Sequence, residues 1–583
     1  MAPRIYTSPL PSVPLFAHSL FTHLFSSPGP NDIGGFHASL PAFIDTITGT
    51  TITRAQLRHL ALSFGYGLQN HPVLSAKRGD TVMIYSHNSL AWPVVLFGSV
   101  AAGLRCTLAN SAYNARELAF QYTDSRARLI FTSEDGCSTV QETLKSLGFS
   151  QKEANERIIV MTNGLEWAGG PAVSIKPDLA HSLKMTDLLE LGTLKGEERF
   201  DGEKSNETVY LCYSSGTTGK PKGVETTHRN ISSVLDMASP LWTRTGPDDT
   251  YLGILPFYHI YGAVNLLLFP FKIGLSVAIM QRFDPVQFCA NIERYKITCS
   301  LVVPPVLVVL ARHPAVDQYD MSSLRILFSG AAPLSATLAQ QVITRFSTKR
   351  KGKDPMIIAQ GYGLTETSPN SHMLSGIHSV RKVGSIGVLL PNLEARLLLD
   401  GDGDGNLEAG EGEAGELWMR GPTIMKGYLN NAKATQDAIT PDGWFKTGDI
   451  AIRDPEGFYY IVDRRKELIK YKGVLLTHPD IADAAVIGVH SAKEATELPR
   501  AYVVPARPDG VKAEADIVKF AENIKAWIQT KVARHKFLRG GIVVTDVIPK
   551  SAAGKILRRE LRDRAKEELA GKDPHDDHIS AKL

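Results

Sequence analysis

One stretch limits what this chain can fold into more than any other: Tyr213-Ser-Ser-Gly-Thr-Thr-Gly-Lys-Pro-Lys-Gly-Val224. Before it, Thr208-Val-Tyr-Leu-Cys-Tyr213 alternates β-branched and aromatic residues and reads as a strand. After it, Asn230 to Leu235 reads as a helix start. The segment between packs two Ser, two Thr, three Gly and two Lys into ten positions. Glycines let a backbone fold back and present its N–H groups, while hydroxyls and ammoniums add donors and positive charge. A cradle for phosphate is expected. The spacing before Gly219-Lys220 and the Pro after that Lys exclude a Walker loop.

A chain of 583 residues exceeds one hydrophobic core, so two to four domains are expected. Hydrophobic content of 43% and charged content of 21% are those of a soluble globular protein. With a net charge of +4 and no basic block or aromatic-laced basic stripe, nothing points to nucleic acid. The five cysteines are odd in number and form no CxxC pair, which fits a reduced compartment rather than a disulfide framework or a zinc site. Met1 to Pro30 carries six prolines and reads as no secretory signal. Tyr251 to Phe271 lacks Asp, Glu, Lys and Arg, but Pro256, His259, Asn265 and Pro270 argue for buried strand-turn-helix over a membrane span.

Strand-like runs at Gly79–Tyr85, Arg128–Thr132 and Arg157–Met161 alternate with helical stretches, among them Ala91 to Gly103. A second set follows the glycine-rich loop: Tyr251–Leu255, Ser276–Met280, Ser300–Val303, Arg325–Ser329 and Met356–Gln360. Alternation of this kind predicts α/β layers with parallel strands. From Gly384 to Arg420 short alternating runs predict antiparallel β. Asp400-Gly-Asp-Gly-Asp-Gly405 with Glu411 has EF-hand spacing, yet both flanks alternate like strands, so an acidic hairpin turn is expected there. The charged cluster Asp463-Arg-Arg-Lys466 reads as a hinge, and the strands beyond it form a small α+β domain. The expected division is 1–463, a hinge at 464–466, and 467–583.

Four motifs in order carry a resemblance: Tyr213 to Val224, Gln360-Gly-Tyr-Gly-Leu-Thr-Glu366, Gly443-Trp-Phe-Lys-Thr-Gly-Asp449 and Pro549-Lys-Ser-Ala-Ala-Gly-Lys-Ile-Leu-Arg558. Together they resemble the acyl-adenylate-forming superfamily, with a particular likeness to 4-coumarate–CoA ligases and their fungal peroxisomal relatives. The resemblance implies a reaction in two halves. A carboxylate attacks the α-phosphorus of ATP, giving an acyl-adenylate and pyrophosphate; the small domain then swings, and the CoA thiol displaces AMP.

It also implies roles. Ser214, Ser215, Gly216, Thr217, Thr218, Gly219 and Lys222 would hold the β- and γ-phosphates. Thr365 would meet the α-phosphate, and Glu366, a hard oxygen ligand, would hold Mg²⁺. Asp449 would accept the ribose hydroxyls, with Arg464 beside it. Ala331 and Gly361 would form flat walls, with Gln360 as a polar contact. His259 would stand at the acid carboxylate, with Tyr261 and Asn265 lining the acyl pocket. Arg282 takes the place of a CoA-pairing Lys, Lys466 matches the pivot, and Lys470 a contact to the adenylate. Lys472 and Gly473 would face CoA. Lys555 is the main catalytic candidate: an ammonium between carboxylate and α-phosphate offsets the repulsion of two electronegative groups.

The chain departs from the family after Gly473. Only Val474-Leu-Leu-Thr477 precedes His478-Pro479, where relatives carry about ten further residues, including a glutamine at the adenylate and most of an amphipathic helix that closes the small domain's core. Either the sequence is a mis-spliced reading or the variant is real; a real variant should adenylate better than it forms thioester.

The expected activity is an ATP-dependent acid–CoA ligase, using ATP, Mg²⁺ and CoA, on an aryl or medium-chain acid. A luciferase-type oxygenase would differ by oxygen uptake, and a degenerate adenylate-binding protein by failing to release pyrophosphate. The ending Ser580-Ala-Lys-Leu583 is close to the peroxisomal tripeptide, so Ala581-Lys582-Leu583 is expected to meet the import receptor. The polar stretch before it, Gly571 to Ile579, reads as mobile and leaves that address accessible.

Overall fold

The computed structural model describes all residues except 1–3, 28, 215–220, 243–245, 247, 333, 335, 349, 351–353, 355, 400–404, 406, 465–474, 476–477, 494–495, 512, 532–536, 550–557, 575–578 and 582–583. The α/β layers are present as two sheets. The first has seven strands, of which Thr81–Tyr85, Arg105–Ala109, Ala127–Ser133, Ile158–Met161 and Thr208–Ser214 run parallel. In the second, of nine strands, Thr250–Gly253, Ser276–Ile279, Cys299–Val302, Ile326–Ser329 and Ile357–Gly363 run parallel. Parallel strands covered on both faces need apolar residues at every position, and all five residues of Thr81–Tyr85 are buried. Between the layers the helix Ala91–Ala101 is buried all round. It crosses the helix Arg54–Asn70 at paired glycines: a Cβ on Gly98 would lie 2.9 Å from the Ala61 carbonyl oxygen, and one on Gly65 2.9 Å from that of Gly98.

The antiparallel region is a five-stranded sheet in which Glu394–Leu398 pairs with Gly415–Arg420, as the alternation predicted for the flanks of the acidic turn. Tyr459–Arg464 closes the edge of this sheet, with Asp449 opposite Arg464. Strand pairing thus continues to Arg464, which the sequence reading placed in the hinge.

Two expectations change. The glycine-rich segment does not lead from strand to helix: Thr208–Ser214 pairs antiparallel with Lys222–Thr227, and only then does the helix His228–Ala238 begin. Val224, Thr226 and Thr227 supply β-branched partners for the preceding strand, so the segment joins two antiparallel strands. The chain end is also paired. Ile579–Ala581 lies parallel to Ile542–Val544 as the edge strand of the four-stranded C-terminal sheet, rather than as a mobile tail.

That sheet is the α+β unit expected, with a long hairpin of Ile481–Ser491 and Thr496–Pro505. Helix Glu514–Gln529 contributes Ile517, Ala521, Ile524 and Ile528 to a core with Leu475, and the His478 ring meets Trp527 edge-on at 4.7 Å. Leu561 and Ala565 of Arg558–Glu568 close the other face with Ile548, locked by a buried Arg500–Glu568 pair at 2.9 Å. Among the described residues no helix is long and apolar enough to cross a membrane.

Candidate active site

Glu366 is where the separated motifs meet. It lies in the short turn Thr365–Thr367, which follows the strand Ile357–Gly363 and is closed by Ser368 in the left-handed conformation. The Leu364 N–H donates to Thr367 Oγ1 at 2.9 Å and holds the turn. Ser214, last residue of the strand entering the hairpin, donates its hydroxyl to Glu366 Oε1 at 3.1 Å. Tyr428 donates to the same oxygen at 2.8 Å. Tyr428 belongs to Gly427–Tyr428, an edge strand paired with Lys222–Thr227, and the Lys222 ammonium lies 4.8 Å from its ring centroid. Asn230 fixes the approach to this strand, donating to the carbonyls of Pro422 and Ile424, and the Met425 N–H then reaches the Glu366 carbonyl. Burial first, and the Glu366 carboxylate second, raise the Tyr428 pKa above that of a free phenol. Tyr428 therefore stays a donor.

The arrangement fits a hard divalent cation. Glu366 is 9% exposed, and its side-chain partners among the described residues, Ser214 and Tyr428, are both neutral hydroxyls. Among the described residues there is no cluster of three or more His, Cys, Asp or Glu able to hold a metal alone. One carboxylate with phosphate oxygens and water is the coordination Mg²⁺ accepts beside a nucleotide.

A second group gathers around the strand Ile357–Gly363. Asp449, 1% exposed, accepts from the Tyr362 hydroxyl at 2.5 Å and faces Arg464 in the ladder. Gln360 pairs in parallel register with Ser329, which leads to Ala331 at φ 66°. Gly361 has to be small: a Cβ there would lie 2.7 Å from the Phe328 ring. The Tyr261 hydroxyl donates to the Phe328 carbonyl at 3.3 Å, and a Cβ on Gly330 would meet that hydroxyl at 2.9 Å. Asn265 and Asn370 form a reciprocal amide pair at 2.8 and 3.2 Å.

The His259 ring opens to solvent but is crowded by protein, and that desolvation lowers its pKa. Its Nδ1 accepts the Tyr261 N–H at 3.2 Å, which assigns the proton of the neutral ring to Nε2. Arg282 is exposed beyond the strand Ser276–Ile279.

The structure therefore joins Ser214, Lys222, Thr365 and Glu366 in one group, and Gln360, Gly361, Ala331 and Asp449 along a second line. Ser215, Gly216, Thr217, Thr218, Gly219, Lys466, Lys470, Lys472, Gly473 and Lys555 lie outside the described residues, as does the Arg464 side chain. Sequence reasoning assigned no role to Tyr428, Asn370 or Tyr362, although Tyr362 sits inside a quoted motif. Lys426-Gly-Tyr-Leu-Asn430 carries no spacing signal of its own.

The sequence pattern of the AMP-binding enzyme family matches residues 35–429, and that of its C-terminal domain residues 473–555. The chain belongs to the AMP-binding enzyme family. The chain is 37% identical over 506 residues to the probable 4-coumarate–CoA ligase 1 of Dictyostelium discoideum, covering 84% of this chain and 86% of that one. Identity to 4-coumarate–CoA ligase 1 of Petroselinum crispum is 33%, with 96% of each chain covered. The o-succinylbenzoate coenzyme A synthetase of Bacillus subtilis in complex with AMP superposes with a TM-score of 0.58 at 26% identity, over 90% of this chain and 95% of that one. ATP-bound MatB from Rhodopseudomonas palustris shares the fold, with a TM-score of 0.62 at 22% identity, over 94% of this chain and 99% of that one. Within the AMP-binding enzymes the chain is an adenylate-forming acid–thiol ligase of the AMP-forming acyl/aryl-CoA synthetase type, with ATP, a carboxylic acid and CoA as its substrates.

Proposed function

We propose that this enzyme is an acid–CoA ligase of the 4-coumarate ligase type, acting on an aryl acid such as a hydroxycinnamate or phenylacetate, or on a medium-chain acid, in peroxisomes. The observation that carries the ligase chemistry is the meeting of Ser214, Tyr428 and Glu366 beside the paired ends of the two strands that the glycine-rich segment joins. There the glycine-rich segment and Lys222 hold the β- and γ-phosphates, and Thr365 meets the α-phosphate. Glu366 would hold Mg²⁺, which would supply charge neutralisation on the phosphate oxygens. Asp449 takes the ribose hydroxyls in exchange for the Tyr362 phenol, and Gly361 and Ala331 leave the wall flat. The neutral His259 offers Nε2–H to the acid. Lys555 bridges carboxylate and α-phosphate as the acyl–O–P bond forms and pyrophosphate leaves. Arg282, Lys472 and Gly473 then border the thiol that displaces AMP. The relatives named as 4-coumarate ligases support an aryl acid.

A panel of aryl and alkyl acids, assayed for pyrophosphate release with and without CoA, tests this reading. Release with hydroxycinnamates and AMP formation that requires CoA are expected; release with no acid in the panel, or oxygen uptake, would overturn it. Given the short segment after Gly473, ATP–pyrophosphate exchange should exceed the thioester rate in the same panel.

The peroxisomal address carries its own expectation. A peptide of the last residues should bind the receptor for C-terminal tripeptides. The full chain should bind more weakly, because Ser580 and Ala581 are paired with Val543 and Val544. Equal affinity of peptide and full chain refutes the masking, and a silent peptide refutes the address.

A further inference from the structure

The two large sheets are joined beside the site by one buried amide. Asn88 lies in the turn between the strand Thr81–Tyr85 and the helix Ala91–Ala101, and is 4% exposed. Its Nδ2 donates to the Leu255 carbonyl at 2.9 Å and the Met280 carbonyl at 3.3 Å. Its Oδ1 accepts the Phe257 N–H at 2.9 Å. Only one orientation of the amide satisfies all three bonds.

The three backbone groups belong to two loops that leave the C-terminal ends of parallel strands in the other sheet, the edge at which such sheets place their ligands. Leu255 and Phe257 begin the loop that carries His259, and Met280 lies two residues before Arg282. We infer that Asn88 is a positioning residue for both halves of the reaction, setting the acid-side loop of His259 and the thiol-side loop of Arg282 from a single buried side chain. The inference rests on the roles proposed above for His259 and Arg282. Loss of the donors leaves two carbonyls buried without partners and frees both loops to shift, and displacement of about 1 Å is enough to impair a reacting geometry.

Asn88→Asp keeps the acceptor for Phe257 and turns carboxylate oxygens toward the two carbonyls. In the full-length enzyme its apparent KM for acid and for CoA should each rise about tenfold, with the KM for ATP within about twofold. Gln121→Leu is the control. Gln121 is an equally buried amide that bonds Thr107 and Leu108 within the first sheet, so its loss should lower Tm and move neither KM. A rise in the ATP KM that matches the other two, or the same pattern from Gln121→Leu, would reduce Asn88 to a structural role and overturn the inference. His259→Ala and Arg282→Ala are run beside it. If they leave the acid and CoA KM values unchanged, the roles of His259 and Arg282 fail and the inference with them. If they raise those values and Asn88→Asp does not, the inference fails alone. Should Asn88→Asp not fold, Asn88→Ala is read by the same outcomes.

Discussion

Lys555→Ala is expected to slow acid-dependent release of pyrophosphate by roughly 10²–10³-fold and to leave thioester formation from preformed acyl-AMP near its normal rate. The asymmetry follows from charge. In the first half-reaction an anionic carboxylate approaches a phosphorus carrying anionic oxygens, and a cation between them is stabilising chiefly in the transition state. In the second, a thiol attacks an acyl carbon whose leaving group is already AMP, so the same cation contributes little. Ile548, before the segment that carries Lys555, and Leu561, after it, are buried in one small core, and Arg564 donates to both Thr545 and Glu568 across it. Lys555→Arg keeps the charge but not the compact ammonium, and should recover only part of the rate. Both rates are read on one preparation: pyrophosphate from ATP and acid, and thioester from synthetic acyl-AMP and CoA. Equal loss in both assays would assign Lys555 to folding, and no loss would remove it from the chemistry.

The fold was legible where it is written locally. The runs around Thr81–Tyr85, Ile158–Met161 and Ile326–Ser329 are apolar at consecutive positions because both faces of a parallel sheet are covered, and they stand within a residue or two of their expected places. Pairing over distance was harder to read. Lys222–Thr227 carries a Lys, a Gly and a Glu, so its strand character emerges only against Thr208–Ser214, and local sequence shows only the helix start at Asn230 beyond it. Ile579–Ala581 is short and sits in polar sequence; its order comes from the open edge of Ile542–Val544, which no local pattern announces. The site divides in the same way. Glu366, Asp449 and the hairpin belong to dense motifs. Tyr428 makes one hydrogen bond to a residue 62 positions away and Asn88 three to residues more than 160 positions away, and nothing in their neighbours marks them.

Glu366→Gln is the second change expected to have a large effect, because it separates charge from shape. Gln keeps an oxygen that can accept from Ser214 and Tyr428, so the turn Thr365–Thr367 and its contacts to Met425 should survive, with Tm nearly unchanged. What disappears is the negative charge that a hard cation requires. Pyrophosphate release should fall by roughly 10²–10³-fold, and the Mg²⁺ concentration for half-maximal rate should rise. Tyr428→Phe and Ser214→Ala each remove one neutral hydrogen bond to a carboxylate that remains charged, and should lower the rate only about tenfold. Thioester formation from acyl-AMP, which needs no triphosphate, should tolerate Glu366→Gln. The deciding measurement is a Mg²⁺ titration of pyrophosphate release for the four proteins. If Glu366→Gln shares the wild-type midpoint, the carboxylate does not hold the metal, and its two hydroxyl partners serve the turn alone. If the midpoint shifts for Glu366→Gln and stays in place for Tyr428→Phe and Ser214→Ala, charge at this junction is what couples the glycine-rich hairpin to the chemistry at the α-phosphate.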